Sequence, residues 1–562
     1  MSPTLAVRTT TEGGELDLPE LCMLARLLLS SAMLPFDWNF PYPSQKMPLL
    51  ARNAVSASQP LAAQAGLSML YQGGNAVDSA LATAIALTVV EPVMNGIGGD
   101  MFVLVWHEGK LHGLNSSGRA PAAWTPDYFK GRHTMPETGW DSVTVPGQVA
   151  GWKALSDRFG KLPFARLFEP AISYALEGFM VSPQIARQWE RQLPRLIDQP
   201  GFREAFTLDG RAPTAGERWR FPAQGETLRL IAESGGESFY RGVLAERIEA
   251  YAIQCGGALR VTDLAAHQAE WVEPIHQDFR GYTVHELPPN GQGLAALMAL
   301  GILDQFDIES MGLDSADYYH VGIEATKLAF ADLREYLADA PAMARVSAAN
   351  LLDRGYLSDR AKLIDMKRAG NPGFGTPHDA GTVYLSTADT AGTMVSYIQS
   401  NYHGFGSGVV VPGTGISLHN RGEDFSLLAG HPNQVAPGKR PSHTIIPAFI
   451  TRRGTPVMAM GVMGGSMQVQ GHIQMVTRFA AFGQNPQAMS DAPRFRVEPV
   501  PVVTLESHVS DAVPQALRER GHHVTVAARQ SLDFGSAQLI YKAEHGYIAA
   551  SDSRRDGQAV GF

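Results

Sequence analysis

A chain of 562 residues that is 44% apolar, with a formal charge of −9, can bury a large core and lacks the concentrated basic face that nucleic-acid phosphates require. Its two cysteines, Cys22 and Cys255, exclude a disulfide framework, and no Cys/His cluster has metal-ligand spacing. No nucleic-acid partner and no membrane partner is expected, and cytoplasmic residence is favoured, with a periplasmic or secreted location as the alternative.

In chain order, "LCMLARLLLSSAMLPF" (Leu21 to Phe36) is apolar but is interrupted by Arg26 and is too short to span a bilayer. The acidic stretch ahead of it does not suit a signal peptide. Residues 1–32 therefore read as an extension outside the fold, with a surface helix as the alternative. Ser58 is expected to cap a helix that has Pro60 in its first turn and ends at Gly73-Gly74. Asn75 starts an Ala-rich helix that must stop before Pro92, and its near-continuous apolarity predicts burial. "NGIGGDMFVLVWHEGKLHGLNSSGR" gives a Gly-rich turn and a hairpin with Gly109 at its tip. Pro163 to Ala340 reads mainly helical, crossed by the extended "YTVHELPPNGQG". From Thr382 onward the chain is strand-rich. Helices first, hairpins on both sides and strands last predict stacked antiparallel sheets covered by helices, an α+β fold.

The stretch "HDAGTVYLSTADTAGTMVSYIQSNYHGFGSG" (His378 to Gly408) is the most informative hairpin. A three-residue loop, Thr390-Ala391-Gly392, with Gly where positive φ is wanted, leaves Asp389 facing Thr393. Counting outwards from that pair puts Thr382 opposite Ser400, and one bulge would shift this by a residue. Two hydroxyls at the open end of a hairpin, beside a flexible Gly381, make a poor core and a plausible site.

Familiar motifs fail. "NGIGGD" has Met101 where a dinucleotide-binding loop needs its third Gly, and "GGSMQ" ends in Gln468 where a nucleophile elbow needs Gly. Neither H-E-x-x-H nor a P-loop occurs, which argues against a zinc or nucleotide enzyme. The remaining pieces each have a bland reading. Gly98-Gly99-Asp100 is read alone as a turn, Arg119 as a surface charge and Asp424 as a turn acid. Gly464-Gly465 is either a strand-to-helix corner or a pair of exposed backbone amides.

Their order and spacing resemble the γ-glutamyltranspeptidase (glutathione hydrolase) family of N-terminal-nucleophile hydrolases. The carriers run from Asn53 to the C-terminus: "GLSMLYQGGNAVDSALATAIALTVVEP", "NGIGGD", "GRAPA", "VTVPGQVAGW", "ELPPNGQG", "TVYLSTAD", "GFGSG", "PGTGISLHN", "APGKRP", "MGGS" and "DAPRF". The resemblance implies a four-layered α/β/β/α sandwich made as one precursor. That precursor cuts itself between Gly381 and Thr382, giving a large subunit (33–381) and a small one (382–562) that begins with the nucleophile. A freed α-amino group on Thr382 would serve as its base. At matched positions, Ser400 supplies a second hydroxyl that orients the nucleophile, and Gly464-Gly465 donate N–H groups to the oxyanion. Arg119 pairs with a substrate α-carboxylate and Asp424 with an α-ammonium.

Departures from the glutathione-cleaving members lie around the acyl group. Tyr402 stands in place of Asn, Arg421 in place of Gln, and His443-Thr444 in place of a Ser-Ser pair. The stretch from Asp424 to "GKRP" leaves no room for a lid, which favours water as acceptor. The expected activity is γ-glutamyl amide hydrolysis through an acyl-threonine ester. The alternative is a related acylase on a glutaryl- or oxamate-like amide, and a non-cleaving scaffold is opposed by Thr382, Ser400 and the Gly pair. No metal or organic cofactor is implied.

Overall fold

The computed structural model describes residues 45–343, 345–371, 381–498, 502–528 and 531–562. The extension expected over 1–32 lies outside them. Among the described residues no helix is long and apolar enough to cross a membrane.

Helix α1 (Pro60–Tyr71) starts one residue later than expected, because Gln59 is its cap: Oε1 accepts from the N–H groups of Leu61 and Ala62. The Ser58 hydroxyl instead donates to the buried Glu91 carboxylate at 2.5 Å, where a charge-assisted bond outweighs a cap. Helix α2 (Ala76–Val90) has Asn75 as its cap and Asp78 completing a capping box, and every residue in it is buried.

The strands of the two main sheets are, in chain order, β1 (Leu49–Ala51), β2 (Ala54–Ala57), β3 (Asp100–His107), β4 (Lys110–Ser116) and β5 (Glu270–Val272). Then come β6 (Ile275–Phe279), β7 (Tyr282–Glu286), β8 (Gly381–Ala388), β9 (Met394–Tyr402) and β10 (Ala448–Arg452). The last are β11 (Thr455–Met463), β12 (Ser536–Ala543), β13 (Gly546–Ser551) and β14 (Gln558–Gly561). One seven-stranded sheet has the order β14-β2-β8-β9-β3-β4-β5, the other β1-β13-β12-β11-β10-β7-β6.

Side-chain alternation along these strands builds the layers. Val103, Val383 and Leu385 pack with residues of α1 and α2. Met458, Met460 and Val462 pack with residues of α3 (Gly293–Leu303), α4 (Ala316–Tyr336) and α5 (Met467–Ala480). The intervening residues, including Phe102, Leu104, Tyr384, Ile398, Ala459 and Met463, fill the space between the sheets. The result is a four-layered α/β/β/α sandwich, the architecture that the resemblance implies.

The β8–β9 register matches the count made from the loop: Asp389 N–H donates to Thr393 O at 3.1 Å, and pairing runs from Ala388↔Met394 to Val383↔Gln399. The register then shifts, with Gly381 opposite Tyr402. Thr382 is therefore opposed by both Ser400 and Asn401, a two-against-one bulge that kinks the strand end and re-aims its side chains.

Candidate active site

Thr382 shares strand parity with Tyr384, so its side chain enters the space between the sheets. The Tyr384 ring lies against Gly461, where a Cβ would come within 2.2 Å of it, and Gly461 is three residues before Gly464. Thr382 is fully buried in the uncleaved chain, and its Oγ1 donates to Ser400 Oγ at 3.1 Å. Ser400 Oγ in turn accepts from the Tyr402 N–H at 2.7 Å. The structure thus brings together the two hydroxyls that the hairpin predicted.

Tyr402 has φ +76°, a left-handed conformation that costs a non-Gly residue about 1–3 kcal/mol. Three contacts hold it there. Its N–H is fixed by Ser400, its hydroxyl donates to Asp424 Oδ1 at 2.7 Å, and the Arg421 guanidinium lies 3.9 Å from its ring centroid. Burial, and then the charges of Asp424 and Glu423, push the phenol well above its ordinary value, so it remains a donor. Arg421 Nη1 donates to Asp424 Oδ2 at 2.8 Å and to Thr444 Oγ1 at 2.9 Å. Both oxygens of Asp424 are therefore engaged. Arg421 itself is fully buried, and its Nε and Nη2 have no acceptor among the described residues.

Asp424, Tyr402, Thr444 and Ser466 line a cavity of about 510 Å³, with Phe330, Leu333, Leu337 and Val497 among its apolar wall residues. Beside Asp424, the Glu423 carboxyl is pushed up to about 8 by burial and by the neighbouring charges of Asp424 and Glu137.

Two sequence expectations meet a different structural setting. His443 was expected at the substrate, but it is buried away from the cavity. Its Nδ1 accepts from the Ile445 N–H, and its Nε2 lies 3.1 Å from Asp100 Oδ2. Burial and the nearby Arg421 charge bring its pKa down to about 3, so the ring is neutral and its remaining N–H points at Asp100. Arg119 does not line the cavity either. Its guanidinium is taken by Glu270 at 2.8 Å, Asp339 at 3.4 Å and the Gly438 carbonyl.

Asp100, read from the sequence as part of a turn, is the residue on which this region hangs. It pairs with Ser400 in the β3–β9 ladder. Its Oδ1 accepts from the N–H groups of Gly118 and Gly147, and its Oδ2 faces His443 and His419. Burial works against its charge, yet His419 and His443 hold the carboxyl well below the usual range. Gly99 precedes it because the Ser400 carbonyl approaches within 2.7 Å of where a Cβ would sit.

Gly464 (φ +123°) and Gly465 (φ +60°) form the corner between β11 and α5. Their N–H groups have no acceptor among the described residues, whereas the Gly464 and Gly465 carbonyls accept from Met467 and Gln468. A pair of free amides at a helix N-terminus suits a developing negative charge. Gln292, which caps α3, donates from Nε2 to the Gly465 carbonyl at 2.8 Å and to the Thr444 carbonyl at 2.5 Å. From the sequence Asp100 is read only as part of a turn, and Gln292 is not singled out. The only signals were their places in "NGIGGD" and "ELPPNGQG".

Among the described residues, His320, Glu324 and His522 form a group of metal-ligand type. The Lys327 ammonium already bonds Glu324 at 2.7 Å and lies 3.4 Å from His522 Nδ1. Burial and that cation bring the His522 pKa down to about 3, so the group works as an internal hydrogen-bonded chain.

Comparison with known proteins converges on one family. The family model described as gamma-glutamyltranspeptidase matches residues 62–562. A glutathione hydrolase-like YwrD proenzyme of Bacillus subtilis is 38% identical over 511 residues, 89% of this chain and 97% of its own. An oxamate amidohydrolase proenzyme of Klebsiella pneumoniae is 38% identical over 515 residues, with the same coverage of 89% and 97%. The crystal structure of a cephalosporin acylase from Bacillus halodurans superposes with a TM-score of 0.89 at 46% identity, covering 94% of this chain and 99% of that one.

Proposed function

This chain belongs to the γ-glutamyltranspeptidase family, and from that membership and the site's geometry we propose that it is a self-cleaving amide hydrolase with Thr382 as nucleophile. Its acyl group carries a terminal carboxylate or carbonyl and no α-ammonium, as in a glutaryl or oxamate-like amide.

The chemistry proceeds in two stages. In the precursor, Thr382 Oγ1 attacks the Gly381 carbonyl carbon, the C–N bond breaks, and water hydrolyses the resulting ester. Thr382 is left with a free α-amine. That amine, with an ordinary pKa near 8, takes the hydroxyl proton when Oγ1 next attacks a substrate amide. The oxyanion is received by the N–H groups of Gly464 and Gly465, the proton passes to the departing amine, and water releases the acid. Ser400 holds the hydroxyl in line throughout.

The observation that carries the acyl assignment is the state of Asp424. Its two oxygens accept from Tyr402 and Arg421, and the Arg421 charge already balances its own. A substrate ammonium would be a second cation on a carboxylate whose charge is already matched. Arg421 lies behind the cavity wall rather than in it, and by neutralising Asp424 it leaves that wall with nothing to attract a substrate cation. The γ-glutamyl substrate expected from the sequence is the second reading, favoured by the position of Asp424 on the cavity wall.

Paired glutaryl and γ-glutamyl anilides separate the two. The wild type should show the higher kcat/KM for the glutaryl compound, and Asp424→Ala should change the ratio by less than about threefold. A γ-glutamyl preference that falls by about 10- to 150-fold in Asp424→Ala would establish the second reading.

A further inference from the structure

Two consecutive glycines leave the oxyanion corner with more conformational freedom than any other pair of residues would. Something outside the corner must fix the direction of its amides, and Gln292 is placed to do this. Both Nε2 contacts are to carbonyl oxygens, which settles the orientation of the side-chain amide: nitrogen toward Gly465 and Thr444, each taking one of its two hydrogens. The Gln292 backbone is itself fixed, because its N–H donates to the His443 carbonyl at 2.9 Å and the residue caps α3. It is 4% exposed.

A peptide group is planar and trans, so holding a carbonyl oxygen also sets the direction of the N–H on the other side of the same plane. The Gly465 carbonyl is held from two sides, by Gln292 Nε2 and by the Gln468 N–H. The N–H in that plane is Ser466's, so what the two contacts pin is the peptide to which the free Gly464 and Gly465 amides are hinged at ψ of Gly465. The other Nε2 hydrogen holds Thr444, whose hydroxyl accepts from Arg421. One side chain therefore ties the oxyanion corner to the wall that faces the acyl group.

We propose that Gln292 is a positioning residue for the Gly464-Gly465 oxyanion site, setting its geometry in the transition state through the Gly465 carbonyl. This rests on the reading of Thr382 as the nucleophile. Gln292 also stands in the cavity wall, but both Nε2 hydrogens are spent on carbonyls, so its loss should act on the chemical step: Gln292→Leu should lower kcat about 10- to 100-fold with KM within about twofold, less than deletion of an oxyanion donor outright.

The test uses the purified full chain and a chromogenic amide that the wild type hydrolyses, with acyl-Thr382 followed by mass spectrometry. If wild type forms no acyl adduct on Thr382, the parent reading has failed. If wild type forms it and Gln292→Leu does so at an unchanged rate, the positioning role has failed. Gln292→Glu covers the case of a leucine variant that does not fold. An ionised carboxylate repels both carbonyls, while a protonated one can donate to one of them. Its kcat, relative to wild type, should rise as pH falls from about 8 to about 5. A ratio that stays flat across that range overturns the proposal.

Discussion

Asp100 and Asp424 are two carboxylates of one site region, each set against basic side chains, and they differ in what they leave unspent. Asp100 is fully buried, and two backbone amides and two imidazoles surround it. Its partner on β9 is Ser400, the hydroxyl beside Thr382, so the carboxylate anchors the site from behind. Asp424 is engaged by a phenol and a guanidinium, but it lines the cavity, and its partner Arg421 keeps two nitrogens, Nε and Nη2, without an acceptor among the described residues. A carboxylate enclosed by donors away from any cavity is a structural part, whereas one that reaches a cavity wall can face a ligand. The Gly464-Gly465 corner belongs with Asp424, since Ser466 beside it lines the same cavity.

Breaking the Asp100 side of this contrast should have the larger effect on stability. Asp100→Ala leaves two imidazoles and the amides of Gly118 and Gly147 without their acceptor, and should cost about 3–5 kcal/mol in chemical denaturation. A loss below about 1 kcal/mol would show that the network is not what holds β3, β9 and the following loop together.

The Asp424 side is sharpened by a smaller, pH-dependent effect at Glu423. Its folded pKa, about 8, lies above the ordinary 4.5, so its contribution to stability is fully present below about pH 4.5 and is lost progressively as pH rises to about 8. Glu423→Gln cannot ionise. Its melting temperature should therefore gain on that of wild type between about pH 5 and about pH 8 and level off above that. A difference that is constant across the range would mean that Glu423 is ionised throughout and that the acyl pocket carries a second negative charge.

Local chemistry made part of this legible in advance. Asn75 as a cap, the stop of α2 before Pro92, and the hairpin tip at Gly109 follow from residues within a few positions of one another. So does the β8–β9 register, which a Gly in the loop fixes up to the bulge at Thr382. The Asp100 network was not legible, because its His443 partner is 343 residues away and nothing in "NGIGGD" shows that an imidazole will face it. Gln292 was missed for the same reason: its two acceptors lie 152 and 173 residues further along the chain. Ser58 failed differently. The residue type was right for a cap, but a buried carboxylate from the end of α2 competed for its hydroxyl.

The central claim, that Thr382 is an N-terminal nucleophile made by self-cleavage, is tested most directly by the N-terminal sequence of the smaller chain in purified protein. The account predicts Thr-Val-Tyr-Leu, starting at Thr382, and a single uncleaved chain for Thr382→Ala. A smaller chain that begins at another residue, or a Thr382→Ala protein that still cleaves, would contradict it.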